Sequence, residues 1–391
     1  MNATNSKQPV KPNGLKVLML LSNAFDPDPR VHQEAKALVQ AGYHVTIVCW
    51  DRDLKAPSME VVDGIRIERV YVRSTHGRGS GQMLYLFLFW TRAFVKALGG
   101  AFNVIHCHDF DTLPLGFVLA KSKKAKLVYD SHESYVDMLV NVPLLLRRLM
   151  YNVENVLLKE TDLLITVGDI LRVNFQERGA KKTCVVGNWK DPAEFIFPEN
   201  LINQEKKRLK INNGQMVVNF IANLGYERQL PQLIEAVKDM PEVFLILGGD
   251  GPASHIAKEA ANQSPNIEYL GYVHPSKVSL YTAISDVIFY GFDPKNPNAR
   301  FSAPNKLFEG IAAGKAILTG DFGEISHIVR EAGCGLVLQN YSYPDIRQAL
   351  LRLRTDFVAE AVRGARDEAR EKYRWENASH ELIKQYKGLA E

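Results

Sequence analysis

The sequence predicts an α/β protein built from two doubly wound parallel-sheet domains in tandem. Three observations carry this. Short apolar runs alternate with segments of helical periodicity through most of the 391 residues. The alternation starts afresh near the middle of the chain. Between the two series, residues 188–213 hold Pro192, Pro198 and many charges but little strand pattern, which sets the domain boundary near residue 195.

The first apolar run, 15–21, is short enough for a buried strand. Asp28 then reads as a helix N-cap with Pro29 at the first helical position. Val31, Ala35, Leu38 and Val39 follow at helical spacing, and Gly42 stops the helix before a second strand at 44–49. This is a βαβ unit. Further runs at 104–107, 127–129, 163–167 and 184–186 continue the sheet. In the second half the strands fall at 217–221, 243–247, 267–270, 287–290, 316–319 and 335–338, with helices such as 230–238 and 280–284 between them. Residues 343–391 are polar and helix-prone, with no further strand. The domains are therefore 1–14, a polar mobile tail; 15–195; and 196–391, whose last helix can pack back on the first domain.

A composition of 46% hydrophobic and 24% charged residues excludes wholesale disorder, a collagen-like fibre and a polytopic membrane protein. Cys49, Cys107, Cys184 and Cys334 form no CxxC pair and fit a reducing compartment, so a cytoplasmic location is expected. The opening MNATNSKQPVKPNG lacks the apolar core of a signal peptide. Net charge is +4, with the basic excess confined to residues 1–187, which hold 24 Lys and Arg against 18 Asp and Glu. Such an excess favours anionic partners such as phosphates or lipid headgroups. Residues 83–98 are unusually aromatic. With Arg92, Lys96, Lys121, Lys123, Lys124, Lys126, Arg147 and Arg148 they offer a surface for peripheral contact with an anionic membrane, the rival reading being core packing of the aromatics.

The stretch 302–319, SAPNKLFEGIAAGKAILT, is the most specific. Pro304 starts a helix and leaves the amides around Asn305 and Lys306 free to meet an anion. Glu309, one turn on, can accept hydrogen bonds from a polyol such as a ribose. Gly248-Gly249-Asp250-Gly251-Pro252 allows close backbone approach after a strand, but has neither the GxGxxG spacing of a dinucleotide site nor the ending of a P-loop. Asp26-x-Asp28 and Asp109-x-Asp111 have the spacing of a metal-binding DxD pair. Capping and turn roles suit them better, so no metal site is assigned. His108 ends a strand where a βα loop opens, and His106 is expected on the opposite face of that strand.

PNKLFEGIAAGKAIL, continuing through GDFGEISHIVREAGCGLVL, resembles the donor-binding region of family 4 glycosyltransferases. DPRVHQEAKALVQAGYHVTIV resembles the first βαβ unit of that family. HCHDFDTLPLG, VYDSHE, ILGGDGP and YLGYVHPSKVSLYTAISDVIF resemble its later signatures, so the likeness spans almost the whole chain. It implies the GT-B fold, two Rossmann-like domains facing a cleft, and transfer of a sugar from a UDP- or GDP-sugar with retention of anomeric configuration. No metal and no cofactor beyond the donor co-substrate are implied. The acceptor would be a glycan, glycolipid or small molecule, as in cell-envelope glycan or glycolipid synthesis, and no nucleic-acid partner is expected.

The resemblance also assigns residues. Arg228 matches the diphosphate-binding Lys, while Asn223 stands where a second Arg is frequent. Glu309 matches the second Glu of the E-x7-E motif, and Phe301 replaces the first. Ala303, Asn305, Lys306 and Leu307 would then help hold the donor, with Asp250 beside it and Tyr272 and Val273 at the nucleobase. His108 matches the His that contacts the donor sugar. Asp28, Arg30, His132 and Glu133 lie on the acceptor side; for Arg30, helix-surface pairing with Glu34 is the competing role. Catalysis would rest on His108, Arg228 and Glu309. Two other readings stay open: a non-catalytic nucleotide-sugar binder, motivated by Phe301 and Asn223, and a nucleotide-sugar epimerase of related fold.

Overall fold

A computed structural model of the chain describes residues 14–26, 28–74, 81–139, 142–355 and 366–390. The tail expected over 1–14 lies outside them except for Gly14. The chain divides into two compact units, Met1–Val186 joined by Ser379–Glu391, and Gly187–Ala378. The division thus falls nine residues before the position read from the sequence.

Unit 1 contains an eight-stranded sheet: β1 (Lys16–Leu21), β2 (His44–Asp51), β3 (Met59–Val62), β4 (Ile65–Tyr71), β5 (Val104–His108), β6 (Lys126–Ser131), β7 (Leu163–Thr166) and β8 (Thr183–Val185). Its order is β3-β4-β2-β1-β5-β6-β7-β8, parallel except for the β3–β4 pair. β1 is buried from Val17 to Leu21 because helices cover both faces, which is why it reads as a continuous apolar run. The β3–β4 hairpin is absent from the sequence reading. It turns on Asp63 and Gly64, both at positive φ, as a two-residue hairpin loop requires.

Right-handed crossovers fix the layers. The chain moves one way along the sheet from β1 to β2 and the other way from β5 to β8. The helix Pro29–Gln40 therefore lies on one face, and the helices Gln82–Leu98, Leu113–Lys123 and Leu144–Leu158 on the other. Gly116 lets the helix Leu113–Lys123 settle onto β5, since a Cβ there would stand 1.9 Å from the Cys107 sulfur. The reversal of direction occurs between β1 and β5, where open α/β sheets bind ligands beyond their carboxyl ends.

Unit 2 contains a fully parallel six-stranded sheet of β9 (Met216–Ile221), β10 (Val243–Gly248), β11 (Ile267–Tyr269), β12 (Val287–Tyr290), β13 (Ala316–Gly320) and β14 (Gly335–Leu338), in the order β11-β10-β9-β12-β13-β14. Its core includes Val218, Phe220, Leu233, Leu245 and Phe289. The direction reverses between β9 and β12, so the loops leaving those two strands flank this unit's switch point. Past residue 343 the described residues form helices, among them Tyr343–Leu353 and Trp375–Ala390, and no strand.

Candidate functional site

At the switch point of unit 1 the polar side chains are buried and interlocked. Arg30, in the first turn of the helix Pro29–Gln40, grips Asp130 at the end of β6, donating from Nη2 at 2.8 Å and Nε at 3.2 Å. Its Nη1 donates to the Val186 carbonyl at 2.7 Å, and Nη2 stands 3.0 Å from Glu34. The expected pairing with Glu34 is therefore present, but inside the protein rather than on a helix surface. Asp28 caps the same helix, accepting from the Val31 amide at 3.2 Å.

Three imidazoles complete the cluster. His106 and His108 lie on the same face of β5, rings stacked with centroids 4.4 Å apart, which corrects the expectation that they face opposite ways. Side chains two residues apart on a strand necessarily share a face. His106 Nδ1 meets the Tyr386 hydroxyl at 2.7 Å, and His108 Nδ1 lies 3.3 Å from Asp130. His108 is only 1% exposed, so it does not stand open at the loop. The imidazole that reaches solvent is His132, its side chain 20% exposed, 3.1 Å from Asp130 and 3.3 Å from Asp109.

The protonation states follow from burial and pairing. Burial pushes Glu34 up to about 8, so it is largely uncharged at neutral pH. Burial likewise drives His106 and His108 below the usual imidazole range. It would lower His132 too, but Asp109 and Asp130 outweigh it and raise this group to about 9. Asp130 is held well below the carboxylate range because Arg30 and His132 overcome its burial. Glu34, His106, His108 and Asp130 stand close enough to share a metal ion. However, Arg30 already supplies the cation, occupying Asp130 and contacting Glu34.

The switch point of unit 2 has the opposite character. Pro304 is the N-cap of the helix Asn305–Ala312, as the sequence predicts, so the first amides of that helix lack intrahelical acceptors. Lys306 Nζ is buried, has no hydrogen-bond partner, and lies 5.1 Å above the Phe220 ring. Burial lowers its pKa to about 7, with Arg228 lowering it further and Glu309 opposing. Arg228, in the turn Tyr226–Arg228 after β9, lies over Phe292 at 4.5 Å and donates to the Tyr290 hydroxyl at 3.3 Å, and Tyr290 in turn meets Ser302 at 3.3 Å. Its Nε is 3.4 Å from Glu227. Phe301 is buried, as is Ala303, whose carbonyl accepts from the Asn188 side chain at 2.9 Å.

The glycine turn after β10 packs against the loop after β9. Gly249, at φ +115°, leaves no room for a side chain, since a Cβ would come within 1.8 Å of the Ala222 carbonyl, and Asp250 projects outward. Leu224 N–H donates to the Asp250 carbonyl at 2.8 Å, placing Asn223 beside that turn. Tyr272 and Val273 line an open cavity of about 590 Å³ with Arg208, Lys277 and Tyr281. Unit 2 thus brings Asn223, Arg228, Asp250, Lys306 and Glu309 to the loop ends of one sheet. Unit 1 does the same for Asp28, Arg30, His108 and His132. Sequence reasoning missed Asp130 and Tyr290, the residues that orient the predicted cations.

Residues 27–189 match the model of the glycosyl transferase 4-like domain, and residues 202–371 that of glycosyl transferases group 1. An uncharacterized glycosyltransferase of Methanocaldococcus jannaschii is 22% identical over 375 residues, covering 90% of this chain and 92% of that protein. The alpha-monoglucosyldiacylglycerol synthase of Acholeplasma laidlawii is 27% identical over 222 residues, 52% of this chain and 56% of that one. Among solved structures, sucrose-phosphate synthase from Thermosynechococcus elongatus superposes with a TM-score of 0.77 at 17% identity, covering 96% of this chain and 99% of that one. Anabaena HepE in complex with UDP superposes at 0.73 with 14% identity, covering 96% and 100%. These structural likenesses establish the GT-B fold with its two Rossmann-like domains.

Proposed function

Since the chain belongs to the group 1 glycosyltransferases, we propose that it moves a sugar from a UDP- or GDP-sugar to a hydroxyl acceptor with retention of configuration and without a metal. One observation carries the donor assignment: Lys306 holds a buried amino group with no acceptor, at a helix start beside Arg228. A diphosphate supplies the missing negative charge. The solved HepE complexes with UDP and with UDP-glucose support a donor of this class.

In this reading Arg228, oriented by Tyr290 and Phe292, clamps the leaving diphosphate, and Lys306 and the amides of Asn305 and Lys306 neutralise it. Glu309 accepts from the ribose. The acceptor hydroxyl attacks on the face the diphosphate leaves, and a departing phosphate oxygen takes its proton. Charge stabilisation by positioned donors is then the main source of rate. His132, flanked by Asp109 and Asp130, is the group that unit 1 offers to substrate, with Glu133 next to it in sequence and Asp28 at the start of the helix Pro29–Gln40. The acceptor belongs to cell-envelope glycan or glycolipid synthesis on the cytoplasmic face of a membrane, a reading the diacylglycerol synthase relative supports.

Incubation with a panel of UDP- and GDP-sugars, reading released nucleotide and the anomeric proton of the product, tests this. Arg228→Ala and Glu309→Ala should each lower turnover at least tenfold, about 1.4 kcal/mol of activation energy. Unchanged kinetics in both would reject the site, and activity abolished by EDTA would reject metal independence. A second reading, a nucleotide-sugar binder without turnover, is favoured by the buried Phe301 and predicts UDP binding with no release from any donor.

A further inference from the structure

The helices on the outer face of the unit 1 sheet expose an apolar surface that the other described residues leave uncovered. In the helix Gln82–Leu98, Phe89, Ala93 and Ala97 face inward, whereas Leu84, Phe87 and Val95 point to solvent, Val95 being 68% exposed. In the helix Leu144–Leu158, Leu157 and Leu158 face inward, whereas Leu145, Leu149 and Val156 line the outer side, Leu145 being 81% exposed. Spacings of three and eight residues in the first helix, and of four and seven in the second, are close to whole helical turns and make each set a single stripe. The helix Leu113–Lys123 lies against both of these helices and adds the exposed Val118 to the same side of the sheet. The aromatic segment is therefore only partly core. Soluble proteins rarely leave contiguous apolar patches of this kind without a partner.

Charge identifies the partner. The three helices hold six basic residues and one acidic residue, Glu154, which is buried against Arg178 and Tyr129. Lys96, Lys121 and Arg147 are paired with Glu68, Glu160 and Asp137. Arg92 and Lys123 donate to backbone carbonyls, which leave their charge unneutralised, while Lys124 and Arg148 are exposed. A second copy meeting this face about a two-fold axis would set these cations against one another. An anionic bilayer meets both needs, taking the leucine stripes into the acyl boundary and pairing headgroups with the basic rim. No helix among the described residues is long and apolar enough to cross a membrane, so contact is from the side.

We propose that unit 1 docks on an anionic bilayer through the outward stripes of the helices Gln82–Leu98 and Leu144–Leu158, with Lys124 and Arg148 at the rim. This rests on the membrane contact of the proposed function and names the surface that makes it. The test is co-sedimentation of the full chain with vesicles of phosphatidylcholine mixed with phosphatidylglycerol, against phosphatidylcholine alone, at low and high salt. The protein should partition into the anionic vesicles at low salt and leave them as salt rises. Leu145→Glu with Leu149→Glu should lower the partition coefficient at least about tenfold. Lys124→Glu with Arg148→Glu should remove the preference for the anionic lipid. All four residues are exposed, so thermal melts of both variants should match the parent.

Absence of binding to anionic vesicles, or binding unchanged in the leucine variant, overturns the proposal. A dimer in lipid-free solution that the leucine variant breaks also overturns it and assigns the face to a second copy. Nucleotide release from a donor sugar, measured without lipid, is unaffected by either variant. Its loss in the parent would count against the enzymatic reading and not against docking.

Discussion

The two switch points use charge in contrasting ways. In unit 1 each strong charge has found its opposite: Arg30 holds Asp130, Asp130 and Asp109 hold His132, and Glu34 avoids conflict by staying protonated. In unit 2 a lysine is buried with no acceptor, and an arginine is held mainly by aromatic rings and a tyrosine hydroxyl. A charge-balanced cluster is a framework, even with Glu34 and the Nε2 atoms of His106 and His108 lacking hydrogen-bond partners, whereas a buried cation with no counter-charge marks a binding site for an anion. The same residue types therefore stabilise the fold in one unit and prepare for an anion in the other.

The contrast is most easily broken from the unit 1 side. Asp130→Ala strips the buried Arg30 of its main partner and should destabilise the protein by about 3–5 kcal/mol, seen as a lowered midpoint in urea or heat. Lys306→Met removes a charge that has no partner. It should leave the melting temperature unchanged or raised while weakening UDP binding at least tenfold, about 1.4 kcal/mol, by calorimetry. Equal loss of stability in both variants would erase the distinction between the units.

Titration sharpens it. His132 and Glu34 have raised pKa values in the folded protein, to about 9 and about 8, so their stabilising contributions are complete at low pH and are lost as pH rises through those values. Stability should fall by on the order of 3 kcal/mol between pH 6.5 and 9, and His132→Gln should flatten that part of the profile. In unit 2, Lys306 titrates near 7 and must be charged to meet a diphosphate. UDP should therefore bind about tenfold more weakly at pH 8.5 than at 6.5, with proton uptake visible as a buffer-dependent heat. The smallest effect is expected for Tyr290→Phe, about 0.5–1.5 kcal/mol on UDP affinity, because one hydrogen bond to Arg228 is lost while the aromatic face remains.

What the sequence discloses is what lies close together along the chain. Strands such as β1 and β9 are buried on both faces and announce themselves as apolar runs, and Asp28 and Pro304 mark helix starts by their chemistry alone. The β3–β4 hairpin is hard to read in the sequence because β3 is almost wholly exposed and carries no buried face, although Asp63-Gly64 between alternating residues is a recognised turn signal. The unit 1 network was illegible for a different reason. Arg30 meets Asp130 across 100 residues, and His106 meets Tyr386 across 280, separations at which no local pattern links the partners. One clue was available: His106 and His108 share a face of an otherwise apolar strand, and two polar groups on a buried face need partners. The aromatic run at 83–98 left its two readings undecided because sequence alone does not reveal which side of a helix the sheet covers.

Tyr386 belongs to the last stretch of chain, yet it closes the hydrogen bond of an imidazole in the first unit's central sheet. The unit that begins synthesis first is thus the last to be completed. While the ribosome is still making residues 187–378, His106 lacks its hydroxyl partner and the aromatic ring that packs on Tyr43. A chain truncated before residue 379 should therefore keep a folded second unit while its first unit remains loose and susceptible to protease.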